Sequence, residues 1–447
     1  MDEEQKSVVK GTFWGLAGNF GVRFISFVYL ILVARMFSQS DVGTFYLAFS
    51  VIYLVIIFGD LGLNAAFTRY VPFYLGRKEK EKIRLILNAA YAFSSILSAI
   101  ASVLLFFSAG WLADAYGNPA LKPTLEILSP FMFFGVLFSL NTSFLTSLKR
   151  VKESNMLLNA QNILKLLLVL ALFWMLGAEL AVLSLSFVFS YVALTILSFW
   201  NVRKETRKLW KGKADFKLNE YAGALRELLP FGFMLALVTT LWTIASFTDR
   251  VMIGYFIPEP AGSIQIAVYT VAISLATIIA VFPSAVLGIF LPVLSELYGK
   301  NEKEKMLSTS HSALRWIVFL ITPVTIIFVV FPSQILQMLY GADYAPGAMV
   351  LGLFSLGLFI RSLGYVQGSI LASMRIVRVE LYGAIAATLA NIALNWVLIP
   401  PYGIEGAALA SAISFAMATA ITTFFCIRIF GFRFPKDFYR IFIAGAA

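Results

Sequence analysis

Long apolar runs separated by short polar connections dominate the sequence. A membrane-spanning helix needs about 20 mostly apolar residues, and windows of that length recur along nearly the whole chain. Backbone groups inside a bilayer are satisfied only in helices or closed barrels, and the sequence lacks the alternating ten-residue segments of a barrel. The pattern therefore predicts an all-α polytopic membrane protein with twelve spans, at residues 11–35, 42–74, 83–108, 123–148, 154–176, 178–202, 222–256, 263–297, 307–331, 345–373, 376–399 and 404–430.

Lys and Arg are concentrated in every second connection between these spans. The positive-inside rule assigns such connections to the cytoplasm, so we expect a multi-pass protein of the cytoplasmic membrane with a cytoplasmic N-terminus. Residues 431–447 are predicted to form a cytoplasmic segment and then, in the apolar stretch IFIAGAA, the start of a possible thirteenth helix. We expect a longer chain to continue into that helix. The basic connections lie at residues 77–84, 149–152, 203–217, 300–305 and 375–378.

An internal repeat relates the two halves of the chain at an offset of 226 residues. Six helices per repeat keep both halves in the same orientation, so they should be related by a pseudo-twofold axis along the membrane normal with a cavity between them. The predicted organisation is an N-terminal six-helix lobe at 1–203, a cytoplasmic connector at 204–220 and a C-terminal six-helix lobe at 221–430. Matched pairs include Ser143 and Ser369, Lys149 and Arg375, Gly177 and Gly403, and Glu179 and Glu405.

Composition narrows the function further. The chain is 60% hydrophobic and 13% charged, whereas an ordinary soluble domain has roughly 45–50% and 25%. The net charge of +11 is explained by the basic connections, so no nucleic-acid partner is predicted. Cys426 is the only cysteine, and the sequence has neither a metal-ligand cluster nor a phosphate-binding Gly-rich loop. We therefore expect a transporter without cofactor or metal rather than an enzyme.

Polar residues at membrane depth are the candidates for substrate binding, because ionisable groups there are costly and face a cavity or a partner. The first span has one small and polar face, ending at Arg23 about 20 Å into the helix. The first span of the second half has a similar stripe, ending at Arg250. Two arginines suit an anion, since a guanidinium binds phosphate oxygens bidentately. The two stripes are Gly11, Gly15, Asn19 and Arg23, and Thr239, Thr243, Ser246 and Arg250.

Further basic residues could extend this cavity. Lys165 shares a helix face with Asn155, Asn159 and Asn162, and Arg315 and Arg361 are predicted in later spans. The alternative is that these cations reach an interface or bind helix carbonyls.

Two acidic residues lie within predicted spans. Asp60 interrupts the second span in the string FGDLGLN, and Asp249 precedes Arg250. Asp60 could couple transport to Na⁺ or H⁺, or accept backbone donors at a helix break. Asp249 could be a cation site or the ion-pair partner of a neighbour.

Two stretches carry a resemblance to a known family: DVGTFYLAFSVIYLVIIFGDLGLNAAFTRYVPFYLGRKEKEK at 41–82 and PPYGIEGAALASAIS at 400–414. They resemble the polysaccharide-transport, or Wzx-type O-antigen flippase, family of the multidrug/oligosaccharidyl-lipid/polysaccharide exporter superfamily. The resemblance implies two lobes around a V-shaped central cavity that alternates its access across the membrane. It implies a polyprenyl-diphosphate-linked oligosaccharide as cargo, moved from the cytoplasmic to the outer leaflet. Arg23 matches in placement an arginine that lipid II flippases use in their first helix.

Two alternatives remain open. A cation-coupled multidrug antiporter of the same superfamily shares this fold but needs acidic residues in its cavity. The first span offers Arg23 and no carboxylate. A membrane glycosyltransferase or polymerase could handle the same lipid-linked sugars, but the predicted outward loops are short and sparse in charge. The expected partners of a flippase are the lipid-linked oligosaccharide, the bilayer, and glycan polymerase or ligase machinery.

Overall fold

The computed structural model describes residues 3–210 and 216–435. Over these residues the chain is α-helical and contains no strand, which confirms the predicted all-α class. Residues 211–215 of the predicted connector and residues 436–447, where a thirteenth helix is predicted to begin, lie outside the described residues. The helices are α1 Glu3–Met36, α2 Gln39–Ile56, α3 Leu63–Gly76, α4 Lys80–Ala115, α5 Leu121–Ser147, α6 Val151–Leu176, α7 Leu180–Leu209, α8 Leu218–Phe256, α9 Ala261–Ala276, α10 Val281–Gly299, α11 Lys303–Val330, α12 Pro332–Tyr340, α13 Ala348–Ser373 and α14 Arg378–Phe430.

Ten spans within the described part of the chain are long and apolar enough to cross a membrane, and an eleventh is added when the broken helix α8 is counted as one span. The chain is therefore a multi-pass membrane protein. The predicted count of twelve and the pseudo-twofold axis remain predictions.

Helix α14 contains a break, which affects the number of membrane spans that it represents. Its 53 residues would extend about 80 Å at 1.5 Å per residue, more than twice the hydrocarbon core of a bilayer. Gly403 interrupts it with φ 57° and ψ −135°, a conformation that needs glycine. The repeat-related Gly177 has φ 84° and ψ −168° and separates α6 from α7. Helix α14 is thus the counterpart of two helices in the first half.

The chain forms two compact units, residues 1–240 and 241–447. The beginning of α8 belongs to the first unit, where it packs against α3. There the hydroxyl of Tyr74 donates to Glu227 Oε1, and the hydroxyl of Tyr70 donates to the Glu227 carbonyl at 3.2 Å. The predicted lobe boundaries at 203 and 221 remain predictions.

Four basic turns share one backbone geometry. Lys78, Lys149, Asn301 and Arg375 have φ values of 61°, 62°, 56° and 62°. Each donates its N–H to the carbonyl three residues back, and the next residue donates to the carbonyl five residues back. This is the Schellman motif, which satisfies the last carbonyls of a helix. Its presence at both Lys149 and Arg375 extends the 226-residue repeat from sequence to local structure.

The predicted interruption at Asp60 is present in the first unit. A 3₁₀ turn at Ile57–Gly59 separates α2 from α3. The Asp60 carboxylate accepts hydrogen bonds from the backbone N–H groups of Gly62 at 3.2 Å and Asn64 at 3.4 Å. Asp60 thereby satisfies donors at the start of α3, as an N-terminal capping group does. In the second unit a 3₁₀ turn at Thr277–Ala280 separates α9 from α10 in the same way.

Candidate functional site

One face of α1 packs closely against α6. A Cβ atom at Gly18 would lie 2.4 Å from Asn155 Cγ, and one at Gly21 would lie 2.3 Å from Asn159 Oδ1. The side-chain amides use this proximity, because Asn155 donates to the Trp14 carbonyl at 3.2 Å and Asn159 to the Gly18 carbonyl at 3.1 Å. Small residues on one helix and polar residues on the other are the usual means of joining membrane helices. The asparagines of α6 therefore fix the position of α1.

The polar stripe of α1 lies on a different face. Asn19 and Arg23 are exposed, and a Cβ atom at Gly15 would meet nothing within 4 Å. Phe20 and Phe24, beside them, are 64% and 56% exposed. A charged residue at this depth is stable only where water or an anion reaches it. The fold thus holds α1 rigidly by one face and leaves Arg23 accessible on another.

Lys165 lies at the same α1–α6 interface, further along α6 than these amides. It is buried, donates to Asn162 Oδ1 at 3.2 Å, and lies 4.2 Å from the ring centroid of Tyr29 and 5.9 Å from that of Phe187. Ser26 also donates to Asn162 Oδ1, at 3.1 Å. Within the described residues no carboxylate pairs with Lys165. Its charge is therefore compensated only by an amide oxygen and aromatic faces, which stabilise a cation far less than an anion does.

Asp249 is the centre of a buried polar cluster in the second unit. Its Oδ2 accepts from the Tyr269 hydroxyl at 2.5 Å and from Ser411 at 2.7 Å, and its Oδ1 accepts from Asn391 at 3.1 Å and Asn395 at 2.7 Å. Within the described chain the Asn395 Oδ1 atom is buried without a hydrogen-bond partner. Three helices, α8, α9 and α14, contribute to this oxygen-rich cluster.

Arg250 follows Asp249 on α8 and takes other partners. Its Nε donates to Thr270 at 2.9 Å, one terminal nitrogen lies 3.4 Å from the Ser246 carbonyl, and the guanidinium is 5.4 Å from the Phe247 ring. Both charged residues line one cavity of about 180 Å³. The cavity wall combines hydroxyls, an amide and aromatic rings: Trp242, Ala245, Ser246, Phe247, Ile273, Ser274, Thr277, Phe354, Asn391, Ser411, Ser414 and Phe415 complete it.

The remaining predicted cations do not line that cavity, although Arg361 packs against Trp242 of its wall. Arg361 is buried and forms an ion pair with Glu380 at 2.7 Å, and it lies 4.3 Å from the Trp242 ring and 5.0 Å from the Tyr365 ring. Its charge is therefore neutralised within the second unit. Arg315 is exposed on α11.

The predicted residues thus fall into separate groups. In the first unit, Asn19 and Arg23 share an exposed face, while Asn159 and Lys165 lie at a helix interface. In the second unit, Asp249 and Arg250 share a cavity, and Arg315 and Arg361 lie elsewhere. Sequence reasoning did not select the partners of Asp249 or of Arg361. The four-residue spacing of Asn391 and Asn395 in an apolar segment is the signal that could have identified the partners of Asp249.

No group of three or more His, Cys, Asp or Glu side chains that could hold a metal ion is found among residues 3–210 and 216–435. The Asp249 cluster is built instead from one carboxylate, amides and hydroxyls. Oxygen donors of this kind suit hard cations or a proton rather than a transition metal.

Solved structures of two transporters match the fold over nearly its full length. The lipid II flippase MurJ, in an inward closed conformation, aligns with a TM-score of 0.74 at 18% identity, covering 96% of this chain and 90% of that one. A multidrug resistance MATE transporter in an inward-facing conformation aligns with a TM-score of 0.73 at 15% identity, covering 92% and 94%. The chain therefore has the fold of these two transporters.

Sequence comparisons identify the family. Residues 8–298 match the family described as polysaccharide biosynthesis protein, and residues 235–397 match the MatE family. Because the first match covers more than half of the chain, this protein belongs to the polysaccharide biosynthesis protein family. The predicted family and transporter class are thereby confirmed.

Two curated relatives are consistent with this assignment. An uncharacterized membrane protein of Methanocaldococcus jannaschii is 22% identical over 99% of this chain and 88% of its own length. A probable low-salt glycan biosynthesis flippase, Agl15 of Haloferax volcanii, is 25% identical over 39% of this chain and 36% of its own length.

Proposed function

We propose that this protein translocates a polyprenyl-diphosphate-linked oligosaccharide from the cytoplasmic to the outer leaflet of the cytoplasmic membrane by alternating access. The family assignment, the flippase name of Agl15 and the fold shared with the lipid II flippase MurJ support this proposal. The observation that carries it is Arg23: an exposed guanidinium on a membrane-spanning helix whose opposite face is packed tightly against α6.

The diphosphate of the cargo gives that guanidinium its role. A diphosphate presents several anionic oxygens, and an arginine binds two of them at once with charge-assisted hydrogen bonds. The adjacent exposed amide of Asn19 can bond a further phosphate oxygen or a sugar hydroxyl. Arg250 and Lys165 are second candidates for contacts with the cargo, because both are cations at membrane depth and Arg250 lines a cavity.

The orientation in the membrane is expected from the charge distribution, and the direction of transport from the family resemblance. The basic turns at Lys78, Lys149 and Arg375 lie on the side assigned to the cytoplasm, where the N-terminus is also expected. A glycan delivered to the outer leaflet is then available to polymerase or ligase machinery there.

Reconstitution in liposomes tests this function directly. The assay follows translocation of a fluorescent short oligosaccharide on polyprenyl diphosphate, comparing wild type with Arg23→Ala, Arg23→Lys and the control Arg35→Ala on the same helix. Loss of a charge-assisted bidentate contact should slow translocation by about tenfold or more in Arg23→Ala, with partial activity in Arg23→Lys. The melting temperature should be unchanged, because Arg23 is exposed. Wild-type rates in Arg23→Ala would refute the diphosphate contact.

The Asp249 cluster favours a second candidate, cation-coupled antiport of drugs, which the shared fold with a MATE transporter keeps open. The Asp249 carboxylate accepts from two amide N–H groups and two hydroxyls, and together with the open Asn395 Oδ1 beside it provides oxygens for Na⁺ or H⁺. The discriminating measurement is efflux of a cationic dye from the same liposomes under a proton or sodium gradient. Dye efflux that depends on Asp249, without movement of the glycolipid, would replace the flippase proposal. Glycolipid movement that depends on both Asp249 and a cation gradient would make the cluster its coupling site.

A further inference from the structure

A second cavity lies between α13 and α14, near the turn that contains Arg375. Its volume is about 210 Å³, below the roughly 300–1,000 Å³ typical of sites for drug-sized ligands, so it suits a single ring. We call it the α13–α14 cavity. Its lining consists of Tyr365, Gly368, Ser369, Leu371, Ala372, Ile376, Val377, Glu380 and Thr422.

The first unit contains the same helix pair with different side chains at the corresponding positions. At the 226-residue offset, Thr142, Thr146 and Ser154 correspond to Gly368, Ala372 and Glu380. The three hydroxyl-bearing residues bond directly: Ser154 donates to the Thr142 carbonyl at 3.0 Å, and Thr146 donates to Ser154 Oγ at 3.0 Å. These contacts hold α5 and α6 together at the equivalent place.

In the second unit, smaller residues replace both threonines and a longer carboxylate replaces the serine. The turns that join the two helix pairs, at Lys149 and Arg375, have the same conformation. The two helix pairs thus share a turn conformation and differ here in the side chains between the helices.

The charges around the cavity define the ligand it can take. Arg361 is paired with Glu380 Oε1 at 2.7 Å, so the pair carries no net charge. An anion would be repelled by the carboxylate, and a cation would find that carboxylate already neutralised. Glu380 Oε2 lies 3.7 Å from the position a Cβ atom would take at Gly368, so glycine leaves this acceptor open to the cavity. A neutral ligand that donates hydroxyl hydrogen bonds fits this arrangement.

The remaining lining completes the description of such a ligand. Tyr365, Ser369 and Thr422 provide hydroxyl groups, while Leu371, Ile376 and Val377 provide apolar contacts. A pyranose ring has both properties, with hydroxyls at its edge and C–H groups on its faces. We infer that the α13–α14 cavity binds one neutral sugar ring of the cargo. This inference rests on the proposed function, and it assigns the glycan and the diphosphate to different groups of residues.

The test measures sugar binding apart from transport. Purified full-length protein in lipid nanodiscs, free of glycoside detergents, is titrated with methyl glycosides of neutral hexoses and N-acetylhexosamines and observed by saturation-transfer difference NMR. The main variant is Gly368→Thr with Ala372→Thr, which introduces the residues of the first unit and keeps the Arg361–Glu380 pair. The matched control is Thr146→Ala in the first unit. Glu380→Gln removes the charged acceptor without adding bulk.

We expect wild type and the control to bind at least one glycoside saturably, and the double variant and Glu380→Gln to bind it about tenfold more weakly. Melting temperatures are measured in parallel, and if the double variant unfolds, Glu380→Gln decides. Absence of glycoside binding in wild type, or equal binding in all four proteins, would overturn the inference.

Translocation in liposomes separates the two claims. Wild-type movement of the lipid-linked oligosaccharide without glycoside binding at the cavity leaves the flippase proposal intact and overturns the sugar site. Glycoside binding that these substitutions weaken, without any translocation, refutes the flippase proposal and supports the site.

Discussion

Gly62, directly before α3, packs against the beginning of α8 within the first unit. It has φ 86°, and a Cβ atom there would lie 2.3 Å from the Gly232 carbonyl oxygen and 2.9 Å from Ala236 Cβ. Gly62→Ala therefore adds two costs. A left-handed conformation costs a non-glycine residue about 1–3 kcal/mol. Forcing a methyl group into packed backbone costs about 1–3 kcal/mol more, so we expect a total loss of about 2–6 kcal/mol.

Two further substitutions separate these costs. Gly117 has φ 59°, but a Cβ atom there would meet nothing within 4 Å, so Gly117→Ala should lose only the conformational part, about 1–3 kcal/mol. Gly232→Ala adds only the steric cost, because its Cβ atom would lie 2.5 Å from the Gly62 carbonyl oxygen. Its helical conformation suits alanine, which stabilises a helix by about 1 kcal/mol relative to glycine. The free energy of unfolding is measured by denaturant titration of the protein in mixed micelles. Equal losses in Gly62→Ala and Gly117→Ala would refute the close packing of α3 on α8.

Three other predictions concern buried polar residues. Lys165→Met should leave the melting temperature unchanged or raise it, because it removes a buried charge without a paired carboxylate, and a fall would contradict that description. Asn159→Leu should lower stability by about 1–3 kcal/mol, because the Gly18 carbonyl loses its amide donor, and an unchanged unfolding curve would show that this bond contributes nothing. Asp249→Asn should abolish any dependence of transport on a cation gradient, whereas Ser414→Ala, on the same cavity wall, should retain it; equal behaviour would exclude Asp249 as the coupling residue.

The fold could be predicted largely from the periodicity and length of apolar segments, because a bilayer restricts the backbone to few choices. The 226-residue offset also predicts local geometry, since Lys149 and Arg375 have the same turn conformation. The number of spans stays a prediction. The sequence predicts separate spans at 376–399 and 404–430, and Gly403, which is not helical in φ and ψ, lies between them inside α14.

The site was less accessible to sequence reasoning, because a polar stripe does not identify the helix it faces. The stripe of Asn155 and Asn159 suits a cavity wall as well as a helix interface. Its observed partners are backbone carbonyls of α1, exposed by the absence of side chains at Gly18 and Gly21. Glycines at a spacing of three on α1 were the signal for that packing. The Asp249 cluster joins residues more than 140 positions apart, which no local pattern reveals.

The repeat connects these observations. At the offset of 226, Lys165 corresponds to Asn391, so a buried cation of the first copy aligns with a hydrogen-bond donor to Asp249 in the second. In the second unit Asp249 is surrounded by hydrogen-bond donors, and in the first unit neither Arg23 nor Lys165 has a paired carboxylate among the described residues. Under the proposed function, an anionic cargo would contact the first copy and a coupling cation would contact the second. Substitutions at Arg23 and Lys165 should change the apparent affinity for the cargo, whereas those at Asp249 should change the ion dependence. A single substitution that altered both to the same extent would indicate one shared site instead of two that diverged after duplication.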